Sequence, residues 1–152
     1  MTIAQKNVQI GHFLNGTLTS LQSVVPISFT IGKPELLKET LHITYGVLIG
    51  FAGDIRGKLA LKGEPNTFRT IGEKMFGMPI DETMLPSFTG EFGNLVTGGL
   101  STQMSKKGTN IDITPPTVMD GEVALSGFEN ALHVAISFDE VGDIDIFMMI
   151  DR

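Results

Sequence analysis

Apolar positions near the start of the chain recur at helical spacing. Val8, Ile10, Phe13, Leu14, Leu18 and Leu21 fall on that period, so a helix is expected from about Ile3 to Leu21. Pro26 ends it, because proline disfavours the helical conformation in the residue before it. Ile27 to Ile31 reads as extended, and Gly32-Lys33-Pro34 as a turn. The pattern then changes to alternation. Ile43, Tyr45, Val47, Ile49 and Phe51 interleave with Thr44, Gly46, Leu48 and Gly50, which is a strand with one strongly buried face. Ala52-Gly53-Asp54 reads as a turn. Ile55, Leu59 and Leu61 alternate with Arg56, Lys58 and Lys62, a partner strand with a wet face, so the two form a hairpin.

Glu64-Pro65 opens a short helix, with Pro65 near its first position, Phe68, Ile71 and Met75 as its stripe and Gly77 as its stop. Asp81 or Thr83 suits a cap for a second, longer helix. Pro86 belongs in a first helical turn, which places the start of that helix close to Leu85. It runs to about Lys106 and stops at Gly108. Ile111 to Val118 reads as extended around Pro115-Pro116. Leu132, Val134, Ile136 and Phe138 alternate with small or polar residues, and Ile144, Ile146, Met148 and Ile150 do so beyond Glu140-Val141-Gly142-Asp143. This is a second hairpin. The fold class is α+β: helices packed on a mainly antiparallel sheet, with residues 1–152 as a single domain.

A faint echo runs between the two long helices. Gly11-His12-Phe13-Leu14-Asn15 matches Gly90-Glu91-Phe92-Gly93-Asn94 at three of five positions, and strands come after each helix. The chain therefore reads as two pseudo-repeated α–β halves, although so short a match also arises by chance.

Composition narrows the function classes. Apolar residues make up 41% and charged residues 18%, so a packed core is expected rather than disorder. The formal charge of −6 argues against nucleic acid or an anionic membrane surface as partner. Cysteine is absent, which removes disulfides, zinc–thiolate sites and a cysteine nucleophile. The first residues hold no apolar signal core, and no apolar run approaches a membrane span, so a soluble cytoplasmic protein is expected. His12, His42 and His133 lack metal-ligand spacing and read as satisfied structural histidines. Asp139, Glu140, Asp143 and Asp145 read as a solvated acidic rim, and Phe147 to Ile150 as core or interface filling. Walker, dinucleotide-binding and nucleophile-elbow patterns are missing.

The helix around Glu91 carries the chemistry. On a helical wheel Met84, Phe88, Phe92, Leu95, Val96, Gly99 and Leu100 form one apolar face. Ser87, Glu91, Asn94, Gly98 and Ser101 line up beside it, so one edge offers a hydroxyl, a carboxylate and an amide. Gly98-Gly99 is poor helix sequence, each glycine costing about 1 kcal/mol relative to alanine. On spacing alone a solvated acid and amide are the simpler explanation of Glu91 and Asn94, with the glycines serving close packing.

The wider pattern adds to that picture. Ser87-x-x-x-Glu91-x-x-Asn94, then Leu95-Val96-Thr97-Gly98-Gly99 and downstream Asp112-Ile113-Thr114-Pro115-Pro116-Thr117-Val118, resembles the CheX branch of the CheC/CheX/FliY chemotaxis phosphatases. Pro116 best matches the family's downstream proline, one residue short of its usual spacing. The resemblance spans nearly the whole chain in element order, while its specific motif covers about residues 87–118. CheC-type relatives carry two such helix sites and CheX-type relatives one. His12 stands where Glu91 stands in the other helix, so a single site is expected.

The resemblance implies hydrolysis of the aspartyl-phosphate of a CheY-like response regulator. Asn94 would orient the attacking water and Glu91 would pair with the regulator's lysine. Ser87, Gly98 and Pro116 would border the contact. No cofactor or metal of its own is implied, since the Mg²⁺ would belong to the regulator. A homodimer is implied as well, joined through the His42–Phe51 strand or the C-terminal hairpin if either is a sheet edge. The alternatives are a non-catalytic regulator-binding or flagellar-switch scaffold, and a dimeric sheet protein with no regulator partner.

Overall fold

The structure, a computed structural model, describes residues 2–151. Three helices and eight strands run in the order α1 (Ile3–Val24), β1 (Phe29–Ile31), β2 (Glu35–Leu37), β3 (Leu41–Gly53), β4 (Gly57–Gly63), α2 (Pro65–Phe76), α3 (Leu85–Lys106), β5 (Ile111–Ile113), β6 (Thr117–Leu125), β7 (Ala131–Phe138) and β8 (Gly142–Ile150). The α+β expectation holds. Local chemistry explains the boundaries. At the head of α1, Thr2 Oγ1 accepts the Gln5 N–H at 3.1 Å while Gln5 Oε1 accepts the Thr2 N–H at 2.7 Å. Pro65 occupies the first turn of α2, and Gly77 closes it in the left-handed conformation at φ 67°. Before α3, Asp81 Oδ1 accepts the Met84 N–H at 2.9 Å and the Thr83 hydroxyl at 2.7 Å.

The sheet is antiparallel at every pairing. Its order is β1-β7-β8-β4-β3-β5, with β2 also on β7 and β6 also on β3. Exchanging the first half (α1, β1–β4) for the second (α3, β5–β8) reverses that order and leaves it unchanged. The expected repetition is therefore present in the topology. β4 and β8 meet at the middle, and each half supplies the outer strands of the other. α2 is the element without a counterpart.

All three helices pack on one face of the sheet. Phe13 and Leu21 of α1, Phe68 and Ile71 of α2, and Phe92, Val96 and Leu100 of α3 join Val47, Ile49, Leu61, Val134 and Ile146 in one core. Successive strand residues point to opposite faces. Ala60, Phe147 and Met149 accordingly belong to a smaller cluster on the far face, with Leu41, Ile43, Met119 and Ala131. Phe147, Met148 and Met149 are all buried, as expected.

Several boundaries differ from the sequence reading. α1 runs one turn longer, to Val24, because Pro26 constrains only its predecessor. β3 continues through Ala52 and Gly53, which pair with Asp112 and Ile111, so the expected turn there begins at Asp54. β2 is new, and β6 extends to Leu125. Between Ile43 and Tyr45 the register slips, leaving an extra residue on β6, where Gly121 takes φ 120°. Neither strand region expected to pair across a dimer is an edge. β3 is covered by β4 on one side and by β5 and β6 on the other, and β7 and β8 each have neighbours on both sides.

Candidate active site

Helix α3 is fixed from three directions. Phe92 is fully buried, which contributes about 1.5–3 kcal/mol as for any large apolar side chain. One residue on, Gly93 lies so close to β3 that a Cβ there would sit 2.7 Å from Ile49 Cδ1 and 2.9 Å from Val47 Cγ2. Tyr45 and Thr89 join β3 to α3 through a buried hydroxyl pair at 2.7 Å. The Thr89 hydroxyl donates to the Leu85 carbonyl at 2.9 Å, so in this pair it accepts and the Tyr45 O–H donates. Burial pushes the Tyr45 hydroxyl pKa up.

The third attachment is to α1. Ser20 Oγ donates to the Val96 carbonyl at 2.7 Å, and a Cβ on Gly99 would lie 2.8 Å from Ser20 Cβ. Gly99 thus serves close packing, between α3 and α1. Gly98 differs: a Cβ there would meet nothing within 4 Å. The two adjacent glycines have separate reasons to be small.

With Thr89, Phe92, Gly93, Val96 and Thr97 turned inward, geometry leaves Ser87, Glu91 and Asn94 exposed along the outer side of α3. Glu91 and Asn94 lie one turn apart on that side. Gly98 continues the line, half-buried. Ser101 does not, because its hydroxyl donates to the Ile111 carbonyl at 3.3 Å and ties α3 to β5. Pro116 is brought in from the β5–β6 connection: its Cγ is 3.7 Å from where a Cβ on Gly90 would be. Thr114 holds that connection in place, accepting the Gly50 N–H on Oγ1 at 2.8 Å and donating its own N–H to the Gly50 carbonyl at 2.9 Å. All five site residues expected from sequence thus gather around one stretch of α3.

Two residues assigned to the apolar face of α3 are not in it. Met84 is 39% and Leu95 38% exposed, because α2 and α1 cover the helix elsewhere. Phe76 and Met78, unremarkable in the sequence, are 54% and 50% exposed beside Met84. Their signal was present: they straddle the Gly77 stop, where no helix periodicity remains to bury them.

In the other half, Phe13 is as deeply buried as Phe92, and Asn15 is exposed like Asn94. His12 takes the place of Glu91, half-buried, with Nδ1 lacking a hydrogen-bond partner. Only His133 bears out the expectation of satisfied histidines, with Nε2 2.8 Å from Asp145 Oδ1 and its ring stacked on Phe147. His42 is exposed. Asp145 is thereby drawn out of the supposed acidic rim. Among the described residues no group of three His, Asp or Glu side chains is placed to hold a metal ion. No helix among them is long and apolar enough to cross a membrane.

Comparison with known proteins shows the family to which this fold belongs. The model of the family "Chemotaxis phosphatase CheX" matches residues 45–139. The CheY-P phosphatase CheX of Thermotoga maritima is 28% identical over 148 residues, covering 93% of this chain and 94% of that protein. The CheX–CheY–BeF3–Mg²⁺ complex from Borrelia burgdorferi superposes with a TM-score of 0.75 at 25% identity, covering 94% of this chain and 97% of that one. The chemotaxis protein CheX of Desulfovibrio desulfuricans, at 16% identity, shares the fold with a TM-score of 0.77 over 93% of this chain and 97% of its own. Over most of its length, therefore, this chain belongs to the CheX family of chemotaxis phosphatases.

Proposed function

We propose that the chain hydrolyses the aspartyl-phosphate of a CheY-like response regulator, with Asn94 positioning water and Glu91 docking the regulator. An acyl phosphate needs little covalent help: catalysis is positioning and charge stabilisation. Water attacks phosphorus, the bond from phosphorus to the aspartyl oxygen breaks, and inorganic phosphate and a free aspartate result. Asn94 has no useful basicity, but its amide accepts from and donates to a water, which suits it to holding one in line. Glu91, one turn away, attracts a cationic side chain and sets the approach angle. Mg²⁺ is assigned to the regulator, as is consistent with the Borrelia complex of CheX with CheY, BeF3 and Mg²⁺.

Ser87, Gly98 and Pro116 border this contact, with Gly98 admitting the partner's backbone. The observation that carries the reading is the outward carboxylate–amide pair on a helix whose other sides are locked into the core. Residues 1–152 act as one domain in this proposal, in the cytoplasm where a CheY-like partner resides. A homodimer also belongs to it, joined through an outer strand such as β6 or β1.

The test is the rate of phosphate loss from phosphorylated CheY with Mg²⁺, with and without the chain. Faster loss that disappears with Asn94→Ala supports the reading. Binding without acceleration replaces it with a scaffold role, and sedimentation reads the oligomeric state independently.

A further inference from the structure

Seven large apolar side chains stand exposed among the described residues, and three of them, Phe76, Met78 and Met84, gather beside the first turns of α3. Exposed apolar area gathered in one place marks a contact surface rather than chance. Between the end of α2 and the start of α3 lies a groove of about 400 Å³, lined by Phe76, Met78, Thr83, Met84, Ser87 and Glu91 among others. Its floor is built. Phe76 packs edge-on against Phe88, with ring centroids 5.7 Å apart. Ile80 is held from below, its N–H donating to Glu73 Oε2 at 3.1 Å. Gly72 brings α2 close beneath, for a Cβ there would lie 3.0 Å from the Phe88 ring.

The groove is not a separate site. It shares Ser87 and Glu91 with the catalytic edge, so a protein docked on Glu91 and Asn94 runs onto it. Its charge is also one-sided. Among the described residues Glu91 is the one charged residue lining it, and Asp81 and Glu82 stand exposed in the turn just before α3. The Thr83 hydroxyl and the Met84 N–H hold the Asp81 carboxyl below its usual pKa, so it stays ionised. An apolar hollow with an acidic rim fits an apolar knob flanked by a cation.

We propose that this groove seats an aliphatic or aromatic side chain of the response regulator that neighbours a basic residue, and that the groove selects which regulator is served. This rests on the regulator reading of Glu91 and Asn94, and it adds the specificity contact that reading lacks. The carboxylate and amide address groups that any phosphorylated receiver presents, whereas the groove reads a side chain that differs among them.

Met78→Asp tests it, because Met78 is exposed and lies outside the catalytic pair. Expected is a KM for the phosphorylated regulator raised at least tenfold, kcat within twofold of wild type and unchanged thermal unfolding. Met78→Gln, similar in length but polar, repeats the test if the charge disturbs the loop. An unaltered KM in both variants overturns the proposal. So does a fall in kcat at constant KM, which makes the residue part of the catalytic geometry. A wild-type dimer that Met78→Asp dissociates overturns it too, assigning the groove to a second copy of the chain. If the wild-type chain accelerates no regulator, the reading of Glu91 and Asn94 fails instead. Titration calorimetry with the unreacted regulator then decides the groove alone, tenfold weaker binding of Met78→Asp supporting it and equal binding removing it.

Discussion

Gly98 and Gly99 are neighbours in α3, yet alanine at each should act in opposite directions. At Gly98 a Cβ meets nothing within 4 Å, and the backbone is ordinary helix. The substitution removes glycine's conformational cost, a gain of roughly 0.5–1 kcal/mol. For a domain of this size that is about 1–4 °C in Tm. At Gly99 the same Cβ would fall 2.8 Å from Ser20 Cβ and 3.4 Å from Ser20 Cα, so α1 has to shift. Overpacking costs about 1–3 kcal/mol, which exceeds the helix gain and lowers Tm. Gly93→Ala, wedged against Val47 and Ile49, should behave like Gly99→Ala. Differential scanning calorimetry of the three variants reads the signs. The regulator assay then asks why Gly98 is there. If a partner's backbone approaches, Gly98→Leu keeps the stability gain of a good helix former but raises KM about tenfold or more, roughly 1.4 kcal/mol of lost docking. A Gly98→Ala variant less stable than wild type refutes the open-space account. A Gly98→Leu variant with wild-type KM refutes the partner's approach.

Asn94→Ala should lower kcat about 100-fold or more while leaving stability within about 0.5 kcal/mol, because the side chain is exposed and makes no core contact; single-turnover phosphate release and thermal unfolding read the two together. Glu91→Gln should raise KM severalfold and flatten the dependence of KM on salt, since a charge pair across an interface is screened by ions; an unchanged salt slope removes its docking role. Tyr45→Phe should cost about 1 kcal/mol for the lost bond to Thr89. Its folded pKa is raised above the ordinary 10.0, so its contribution is complete below that pH and fades as pH climbs through the folded value. Chemical denaturation between pH 8 and about pH 11 should therefore show a steeper alkaline decline in wild type than in Tyr45→Phe, and equal slopes count against the burial account.

Most of the fold was legible where one physical signal ruled. Alternation announced β3, β4, β7 and β8, and Pro65 and Gly77 bracketed α2 to the residue. What escaped was decided by tertiary pairing. Glu35-Leu36-Leu37 is too short to show a period and becomes β2 by bonding to β7. The extended stretch expected to end at Val118 runs on to Leu125, because the strand bulges at Gly121 and continues with Ile43 and Tyr45 as its templates. On α3, the shared outward side of Glu91 and Asn94 was legible because a helix fixes which residues lie together, although only the family resemblance gave that pair a role. The groove was not legible, because Met84 looks like a core residue until one knows that α1 and α2 cover other parts of α3. The sheet edges were equally hidden: nothing local in β3 tells that β5 and β6 will lie against it.

The palindromic strand order has a consequence for how such a protein changes over time. Because each half borrows its margin from the other, neither can be discarded, and α1 must persist even if it performs no chemistry. The obligation falls on inward residues alone: Phe13 and Phe92 answer to the shared interior, whereas His12 and Glu91 answer to whatever arrives from outside. Duplicated architecture thus frees one copy of its outward side chains to drift while the other keeps its trade.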